Sequence, residues 1–302
     1  MRWARALLKS AAALPLLGRG GLDRLDVDEF AWRSKRTLEA LCRARTQSAY
    51  VGENEALCRI LGRYKLYVDT RDSGLSAHLL LDGFWEMGLT MHMARTVRSG
   101  MTAIDVGANF GYYTILLGAL VGETGHVFGV EPAPGTAAML RRSVELNGFQ
   151  KFTTVVEAAA GAGEAGERLL HVPAREPKNA QLVASADVVD SAGGTVHRVA
   201  EICLDTLLAE RRRVDFVKID AEGAEEAVIA GALATLHRDR PEMVLEFNAA
   251  RERDPDRLLG TLCEIYGRAR YLDLQGNLLD TTPARLTQEN YGVDWLVVFA
   301  RG

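Results

Sequence analysis

An aspartate and two glycines mark the segment that is best suited to bind a ligand. Residues 104–114 read IDVGANFGYYT, so an apolar stretch leads directly into Gly107 and Gly111. Glycines in such a turn let the backbone approach a ligand that a Cβ atom would repel. The segment therefore predicts a strand, a ligand-binding turn and then a helix.

The spacing of these glycines argues against a dinucleotide as the ligand. The dinucleotide pattern is G-x-G-x-x-G, and counting from Gly107 places Asn109 and Tyr112 where the other two glycines should be. Asp105, two residues before Gly107, would also repel a pyrophosphate. An acid at that position suits a cationic ligand, and S-adenosylmethionine carries both a sulfonium and an ammonium group.

A second acid follows the next predicted strand. Glu131 lies in the sequence GVEP, about 20 residues after Gly111, where a carboxylate can accept hydrogen bonds from both hydroxyls of a ribose. A single acid at a strand end is more often a solvated edge residue. The combination of Glu131 with Asp105 and the two glycines is what indicates a nucleoside site.

Two further carboxylates lie in the sequence KIDAEGAE, residues 218–225. Asp220 and Glu222 follow a predicted strand, and ligands of open α/β sheets bind at the carboxyl ends of the strands. These acids could supply a general base or position a substrate hydroxyl, or they could stabilise the next helix through its dipole. A metal ion on Asp220, Glu222 and Glu246 is a further possibility, which the spacing does not require.

Alternating strand and helix patterns position these residues. They predict an open, mostly parallel sheet with helices on both faces. Residues 159–200 interrupt the alternation and predict an excursion of short strands and loops. The predicted strands are Tyr64–Thr70, Thr102–Val106, His126–Val130, Thr153–Glu157, Val214–Ile219, Met243–Phe247 and Trp295–Phe299, and the predicted helices are Leu75–Arg98 in large part, Tyr112–Leu120, Thr136–Leu146, Ala224–Leu236 and Leu258–Ile265.

The N-terminal part of the chain predicts helices. Apolar residues at three- and four-residue spacing favour a helical stretch from Asp26 to Leu61. Met1–Gly18 has a basic start and an apolar middle, but Lys9 interrupts an apolar run that is too short to span a bilayer. We interpret it as an amphipathic helix that packs on the protein, with a peripheral membrane contact as the alternative.

The composition is that of an ordinary globular protein. The chain has 302 residues, of which 48% are hydrophobic and 25% charged, with a net charge of −4. A slightly acidic chain has no bulk attraction for phosphate backbones, so we expect no nucleic-acid partner. The four cysteines form no C-x-x-C pair, which favours unpaired thiols in a reducing, cytoplasmic environment.

These motifs together resemble the FkbM family of S-adenosylmethionine-dependent methyltransferases. The resemblance lies in IDVGANFGYYT, VEP and VDFVKIDAEGAE, with LLLDGFWE and PEMVLEFN on either side, and covers the chain from about Leu61 to its end. It implies a Rossmann-like class I methyltransferase fold, with a mostly parallel seven-stranded sheet whose final strand is antiparallel. It also implies two parts, a helical N-terminal extension over residues 1–60 and a methyltransferase domain over residues 61–302.

The resemblance also assigns roles to individual residues. Thr114 would meet the methionine carboxylate, Glu131 the ribose and Glu157 with Ala158 the adenine, while Glu86 would contact the amino-acid end or cap the pocket. Glu246 and Asn248 would orient the acceptor, with His92 and His197 as further candidate bases. The residues expected to bind the cofactor are Glu86, Asp105, Gly107, Asn109, Gly111, Thr114, Glu131, Glu157, Ala158 and Asp220.

The activity that the family implies is mainly O-methylation of sugar, polysaccharide or polyketide hydroxyls. Asp220 is then the first candidate for the general base and Glu222 the second. The sequence does not require a metal. Three alternatives remain open, namely a non-catalytic cofactor-binding module, an NAD-dependent oxidoreductase and a nucleic-acid methyltransferase, although the last would have an Asn-Pro-Pro-Tyr-like turn where this chain has Asp-Ala-Glu-Gly.

Overall fold

The N-terminal part of the fold combines helices with a small antiparallel sheet. The computed structural model describes residues 25–163, 166–185, 193–210, 213–289 and 291–301. The small sheet has the order β1-β2-β3, and its β3 backbone is fixed to the main domain by the Tyr67 N–H, which donates to Ser143 Oγ at 3.0 Å. The elements are a 3-10 helix Val27–Ala31, α1 (Lys35–Arg45), β1 (Ser48–Gly52), β2 (Glu55–Ile60), β3 (Tyr64–Asp69), α2 (Leu75–Leu81) and α3 (Met87–Thr96).

The prediction of helix up to Leu61 is wrong for residues 48–60, which form a β-hairpin. Glu53 and Asn54 have φ angles of 51° and 64°, and two successive left-handed residues make a turn whose twist matches a hairpin. In β2 only the alternate residues Ala56, Cys58 and Ile60 are buried, so the buried side chains have the two-residue period of a strand. The predicted boundary between the N-terminal extension and the methyltransferase domain, at residue 60, falls between β2 and β3. These two strands pair with each other, so the boundary divides the small sheet. The predicted helix Met1–Gly18 lies outside the described residues.

The central sheet has the strand order β14-β13-β15-β12-β11-β4-β5-β6. The pairs β4–β5, β5–β6, β4–β11 and β11–β12 are parallel, whereas β15 is antiparallel to both β12 and β13. The expected antiparallel final strand is therefore present. The strands are β4 (Thr102–Val106), β5 (His126–Val130), β6 (Thr153–Val156), β11 (Phe216–Ile219), β12 (Glu242–Phe247), β13 (Arg270–Leu272), β14 (Leu278–Asp280) and β15 (Trp295–Phe299).

The described sheet has eight strands where seven were expected. The additional edge strand arises because β13 and β14 form a hairpin around Asp273 and Gly276, and the Gly276 N–H donates to the Asp273 carbonyl at 2.9 Å. This hairpin lies at the edge of the sheet farthest from β4. It leaves the center of the sheet, where the predicted site lies, unchanged.

Helices cover both faces of the central sheet. Because side chains alternate along a strand, Ala103 of β4 packs with the N-terminal elements, whereas Ile104 and Val106 pack with the helices on the opposite face. The predicted helix Ala224–Leu236 is divided into two at Gly231. The helices that follow β4 are α4 (Tyr112–Val121), α5 (Pro134–Leu146), α6 (Leu204–Leu207), α7 (Glu225–Ala230), α8 (Leu233–Asp239) and α9 (Pro255–Tyr266), and Arg285–Glu289 form a short π-helix.

The excursion predicted between residues 159 and 200 folds as a four-stranded sheet of order β7-β10-β8-β9. Its long β8–β10 pair is antiparallel, and Leu170 and Val199 form a small apolar cluster with Ala159 at the end of the main sheet. No helix in the described part of the chain is long and apolar enough to cross a membrane. The elements of this small sheet are β7 (Ala159–Ala160), β8 (Gly166–Pro173), a 3-10 helix Pro177–Asn179, β9 (Gln181–Val183) and β10 (Gly194–Ile202).

Candidate active site

The direction of the chain changes at the center of the sheet, between β4 and β11. From β4 the chain runs outward to β5 and β6, and it then returns to β11 on the other side of β4. A crevice forms at such a switch point because the two adjacent loops leave the sheet on opposite sides. Asp105 and Lys218 are direct neighbours across this strand pair. Asp220 follows Lys218 by two residues and so projects to the same side of the sheet.

Lys218 lies between the two aspartates. Its Nζ atom is 3.0 Å from Asp220 Oδ2, 3.6 Å from Asp105 Oδ1 and 3.3 Å from the Gly107 carbonyl oxygen. Asp105 is 0% exposed and Lys218 is 4% exposed. A buried ammonium group is tolerated when it is paired with a negative charge. Burial by itself acts to lower the pKa of Lys218. The carboxylates of Asp220 and Asp105 outweigh that effect and raise its pKa.

The pKa values of the three carboxyl groups around Lys218 do not all shift in the same direction. Burial raises the pKa of Asp105, although the Lys218 ammonium and a 2.6 Å hydrogen bond from Thr114 Oγ1 oppose the shift. Burial also acts to raise the pKa of Asp220, but Lys218 and a hydrogen bond with Glu246 hold it below its ordinary value. Burial and the neighbouring Asp220 raise the pKa of Glu246. The pKa shifts of Asp220 and Glu246 thus run in opposite directions, as expected for two neighbouring acids that interact.

The turn after β4 is held against the turn after β11. Gly107 has a φ of 70°, and a Cβ atom added there would lie 1.7 Å from the Asp220 carbonyl oxygen. Gly111 has a φ of 101°, and its added Cβ would lie 2.3 Å from Leu140 Cδ1. Both positions therefore require glycine, because of the left-handed backbone and because of the close approach. Gly107 thus lets the β4 turn lie against the backbone that carries Asp220.

Glu131 is fixed by the backbone on both sides. One carboxylate oxygen accepts the Asn109 N–H and the other accepts the Ala133 N–H, each at 2.9 Å. Burial raises the pKa of Glu131 to about 7, although these two hydrogen bonds oppose the shift. Each oxygen keeps a further lone pair, so an ionised Glu131 can still accept hydrogen bonds from a diol.

One cleft connects these groups. It lies between the carboxyl ends of the parallel strands and the small four-stranded sheet. Leu170 of β8 and Leu182 of β9 form its apolar wall, opposite the polar residues of the strand ends. The predicted site residues that line it are Gly107, Asn109, Glu131, Ala158, Asp220 and Glu222.

Glu222 lies at the tip of the loop between β11 and α7. Its backbone is left-handed, with a φ of 50°. Arg251 Nη1 lies 3.4 Å from its carboxylate and Asp294 binds the same guanidinium at 3.2 Å. Burial and the charge of Asp220 raise the pKa of Glu222, and Arg251 opposes them. A half-buried carboxylate on the wall of the cleft, with a pKa raised above its ordinary value, binds a proton more readily than an unperturbed carboxylate.

Glu86 brings the N-terminal part of the chain to this cluster. Tyr113 of α4 donates a 2.5 Å hydrogen bond to Glu86 Oε2, and the Tyr113 ring also lies 5.1 Å from Lys218 Nζ. The protein around its carboxyl group raises the pKa of Glu86, and Tyr113 opposes the shift. Glu86 as a whole residue is exposed, and it does not line the cleft itself.

Several predicted site residues have other partners. Thr114 is fully buried and donates to Asp105, because its side chain faces the strand and not the cleft. Glu157 is exposed and pairs with Arg141 at 2.6 Å, since it follows the end of β6 at the surface. Asn248 donates to Asp294 Oδ1 at 2.7 Å and accepts from the Ala250 N–H, so its polar atoms fix loops.

The two histidines also lie outside the cleft. His92 Nε2 is 2.8 Å from Glu242, the first residue of β12, and so lies at the amino edge of the sheet, opposite the site. His197 of β10 forms a 2.8 Å hydrogen bond with Thr195 and lines a separate surface groove. His92, Thr114, Glu157, Asn248 and His197 therefore do not line the cleft, and their polar atoms have other partners.

Sequence reasoning missed Lys218 and Lys178. Lysine in the apolar strand FVKI is a recognisable signal, because a charge in a buried parallel strand needs a counter-charge on the neighbouring strand. Lys178 lines the cleft from the small sheet, and no local pattern could have placed it there because its neighbours are far away in the sequence. Tyr113 was part of the motif, but its contact with Glu86 depends on how α3 and α4 pack.

The cleft fits the cofactor that the motifs predict. Glu131 would hold the ribose, Ala158 and the apolar wall would hold the adenine, and the carboxylates of Asp105 and Asp220 would attract the cationic end. The described residues contain no group of three or more His, Cys, Asp or Glu placed to hold a metal ion. A metal on Asp220, Glu222 and Glu246 thus has no support in the geometry of the described residues.

The strand order and the site define a class of protein. In the described sheet six strands run in one direction, and the antiparallel β15 lies between two of them, β12 and β13; the edge strand β14 is also antiparallel. This order, with a cleft at the switch point, is the Rossmann-like methyltransferase fold. The chain belongs to the FkbM family of S-adenosylmethionine-dependent methyltransferases, because the Methyltransferase FkbM domain matches residues 105–271, more than half of its length. This confirms the family that the sequence motifs predicted.

Individual known proteins are only distantly similar to this chain. The FkbM methyltransferase of Methylobacillus flagellatus KT is 17% identical, with 71% of this chain and 52% of that chain covered and a TM-score of 0.40. The O-methyltransferase of Bacillus cereus in complex with SAH is 16% identical, with 71% and 78% covered and a TM-score of 0.35. A protein-L-isoaspartate O-methyltransferase of Methanothrix thermoacetophila is 33% identical over 60 residues, which are 20% of this chain and 29% of that protein. The chain thus spans about half of the first of these structures and less than a third of the curated relative.

Proposed function

We propose that the protein transfers a methyl group from S-adenosylmethionine to a hydroxyl on a sugar, polysaccharide or polyketide-type natural product. The observation that supports this most is that Glu131, Asp220 and Glu222 line one cleft at the switch point of the sheet. One end of the cleft suits a nucleoside, and the other holds carboxylates that can attract a cation and accept a proton. We further propose a small-molecule or glycan acceptor in the cytoplasm, and no nucleic-acid partner.

When bound, S-adenosylmethionine supplies a methyl group on a sulfonium, which leaves as a neutral thioether. The protein mainly has to align the acceptor and receive its proton. Glu131 and the β4 turn would orient the cofactor. The apolar residues Leu170 and Leu182 would exclude water from the adenosine end.

Glu222 is the better candidate for the base, which reverses the order that the sequence indicated. Asp220 is held ionised by Lys218 and by Glu246, and a carboxylate stabilised in this way is a weak base. Glu222 lines the cleft with a raised pKa, so it gains more by accepting a proton. Asp220 would instead attract the cationic end of the cofactor.

Two binding measurements test the cofactor assignment. S-adenosylmethionine and S-adenosylhomocysteine are titrated calorimetrically into the wild type and into Asp105→Ala and Glu131→Ala. We expect micromolar affinity for the wild type and much weaker binding by both variants. A folded wild type that binds neither compound, with or without acceptor candidates, would refute the proposal, and an NADH titration would then examine the oxidoreductase alternative.

Turnover measurements test the roles of the two acids. With a panel of glycoside and polyketide alcohols and their amine counterparts, transfer of a labelled methyl group identifies an acceptor and separates O- from N-methylation. We expect Glu222→Gln to lower kcat by about 10²- to 10⁴-fold, the usual contribution of a general base, with S-adenosylhomocysteine affinity retained. Asp220→Asn should mainly weaken cofactor binding.

The opposite pattern, with kcat lost in Asp220→Asn and kept in Glu222→Gln, would restore Asp220 as the base. Full turnover in both variants would exclude both residues from proton removal. The same assay with EDTA examines the need for a metal, and we expect no change in rate.

A further inference from the structure

Lys218 contacts both aspartates of the switch point and lies behind the wall of the cleft. We propose that Lys218 is a positioning residue, whose ammonium keeps Asp105 and Asp220 ionised and fixed so that both attract the cationic end of the methyl donor. This rests on the proposed function, because it takes S-adenosylmethionine as the ligand. In this role Lys218 neither moves a proton in the reaction nor transfers a group.

The geometry restrains the ammonium from several sides. An ammonium has three N–H donors, and the oxygens nearest to Lys218 Nζ belong to Asp220, Gly107 and Asp105. The ring of Tyr113 lies 5.1 Å from the same atom. Because Gly107 belongs to the β4 turn and Asp220 follows β11, Lys218 connects the two loops that form the crevice.

Asp105 depends on this ammonium for its charge. Its Oδ2 accepts the Thr114 hydroxyl, but its Oδ1 is buried and has no hydrogen-bond partner, so the Lys218 ammonium at 3.6 Å is the charge it faces. A fully buried carboxylate without a counter-charge takes up a proton. Without the ammonium, the site would therefore hold a neutral acid where the cofactor needs a negative charge.

Acidic groups outnumber basic ones around Lys218. The carboxyl groups of Asp105, Asp220 and Glu246 all act on its single ammonium. Such a surplus in a buried site attracts a cation, as a sulfonium and an ammonium group would supply. The titratable groups that face Lys218 are Asp105 from β4, Asp220 after β11, Glu246 from β12, Tyr113 from α4 and Glu86 before α3.

The variant Lys218→Met tests this role, because it keeps the length of the side chain and removes the charge. Two probes are titrated at pH 7.5 into the wild type and the variant, S-adenosylmethionine and 5′-methylthioadenosine, which has the same adenosine but neither positive charge. We expect the variant to bind S-adenosylmethionine about tenfold or more weakly, and to bind 5′-methylthioadenosine as the wild type does.

Calorimetry in two buffers of different ionisation enthalpy counts the protons released on binding. In the variant, S-adenosylmethionine should release up to one proton more than 5′-methylthioadenosine, because binding of the cation ionises the protonated carboxyl group again. In the wild type the two probes should release equal numbers. Protons from Glu131 cancel in this comparison, because both probes carry the same ribose.

Equal weakening of both probes, or equal proton release by both probes in the variant, would overturn the role and leave Lys218 as a structural residue. A wild type that binds neither probe would refute the proposed function instead. Asp239→Asn is the matched control, since Asp239 is also buried and ion-paired but caps Val214 at the opposite edge of the sheet. It should destabilise the protein without changing the ratio of the two affinities.

A measurement on the wild type keeps the proposal testable if Lys218→Met does not fold. In protein labelled with [¹⁵N]lysine, a buried ammonium exchanges its protons slowly and gives a resolved signal. We expect that signal to shift with S-adenosylmethionine and to stay unchanged with 5′-methylthioadenosine. A signal that responds equally to both probes would contradict the proposal.

Discussion

At the scale of single residues, Glu131 accepts hydrogen bonds from two sides, and its carboxylate does so best when it is ionised. It accepts two backbone N–H groups, and in the proposed function it also accepts the hydroxyls of a ribose. Burial raises its pKa to about 7 from an ordinary value of 4.5, so it changes charge near neutral pH. Cofactor binding should therefore depend on pH through this residue.

We expect the affinity for S-adenosylhomocysteine to rise as the pH increases through about 7 and then to level off. Below that pH Glu131 holds a proton, so one of its oxygens is a hydrogen-bond donor. That oxygen then accepts a hydrogen bond from a ribose hydroxyl or a backbone N–H less favourably. Glu131→Gln should bind about 10- to 100-fold more weakly, as expected for hydrogen bonds to a charged group, and without this pH dependence. Calorimetry over the pH range measures both effects, and an unchanged pH profile in the variant would assign the titration to another group.

At the scale of elements, the β4 turn shows how two strands build one site. The turn needs a residue without a side chain at Gly107, because the backbone after β11 lies directly against it. The same contact places Asp220 beside the cleft. A change in one turn should therefore affect the acid that follows the other.

We expect Gly107→Ala to abolish S-adenosylhomocysteine binding and to lower the free energy of unfolding by more than about 3 kcal/mol. An added Cβ would meet the Asp220 carbonyl oxygen at 1.7 Å, and the backbone is left-handed. Gly135→Ala in α5 is the matched control, since no atom lies within 4 Å of its added Cβ, and it should be neutral or slightly stabilising. Denaturant unfolding and calorimetry check both variants, and a Gly107→Ala protein with normal binding would show that the turn is not packed as described.

At the scale of the whole molecule, buried carboxyl groups decide how stability depends on pH. Burial raises the folded-state pKa of Glu246 and Glu131. Above their ordinary pKa of about 4.5 the unfolded chain loses these protons while the folded protein keeps them. The folded state then binds more protons, so the free energy of unfolding falls as the pH rises.

We expect the protein without cofactor to lose stability from about pH 5 to pH 8, and Glu246→Gln to lose less. Glutamine keeps a donor for Asp220 and removes the group that must hold its proton, so the variant should exceed the wild type in stability at the upper pH. Glu264→Gln, on the exposed side of α9, is the control and should follow the wild type. A Glu246→Gln protein that is less stable at every pH would indicate that Glu246 is ionised in the folded state.

Much of this molecule follows from local sequence patterns. The apolar strands from Thr102 onward, the helices between them and the turn glycines were predictable because strand and helix periods and left-handed turns are local properties. Asp105, Glu131 and Asp220 were also predictable, since Asp105 lies near the end of a predicted strand and the other two directly follow one. The family itself followed from the residues in these motifs.

Other features depended on contacts between distant segments. The hairpin at residues 48–60 was missed because its apolar residues also fit a helical spacing, and the partner strand β3 decides between the two. His92 and Thr114 carry suitable side chains, but the sheet directs His92 to its amino edge and Thr114 toward Asp105. A residue type shows what chemistry is possible, whereas its position in the fold decides whether that chemistry is used.

The sequence by itself determined the strand–helix alternation, the motif acids and the family, because these depend on residue type and spacing along one chain. The tertiary structure decided which acids lie together and in which direction their pKa values shift. That choice depends on Lys218, whose partners come from two strands more than a hundred residues apart in the chain. Charge, burial and hydrogen bonding act through space, so the properties of these carboxyl groups exist only once the sheet has formed.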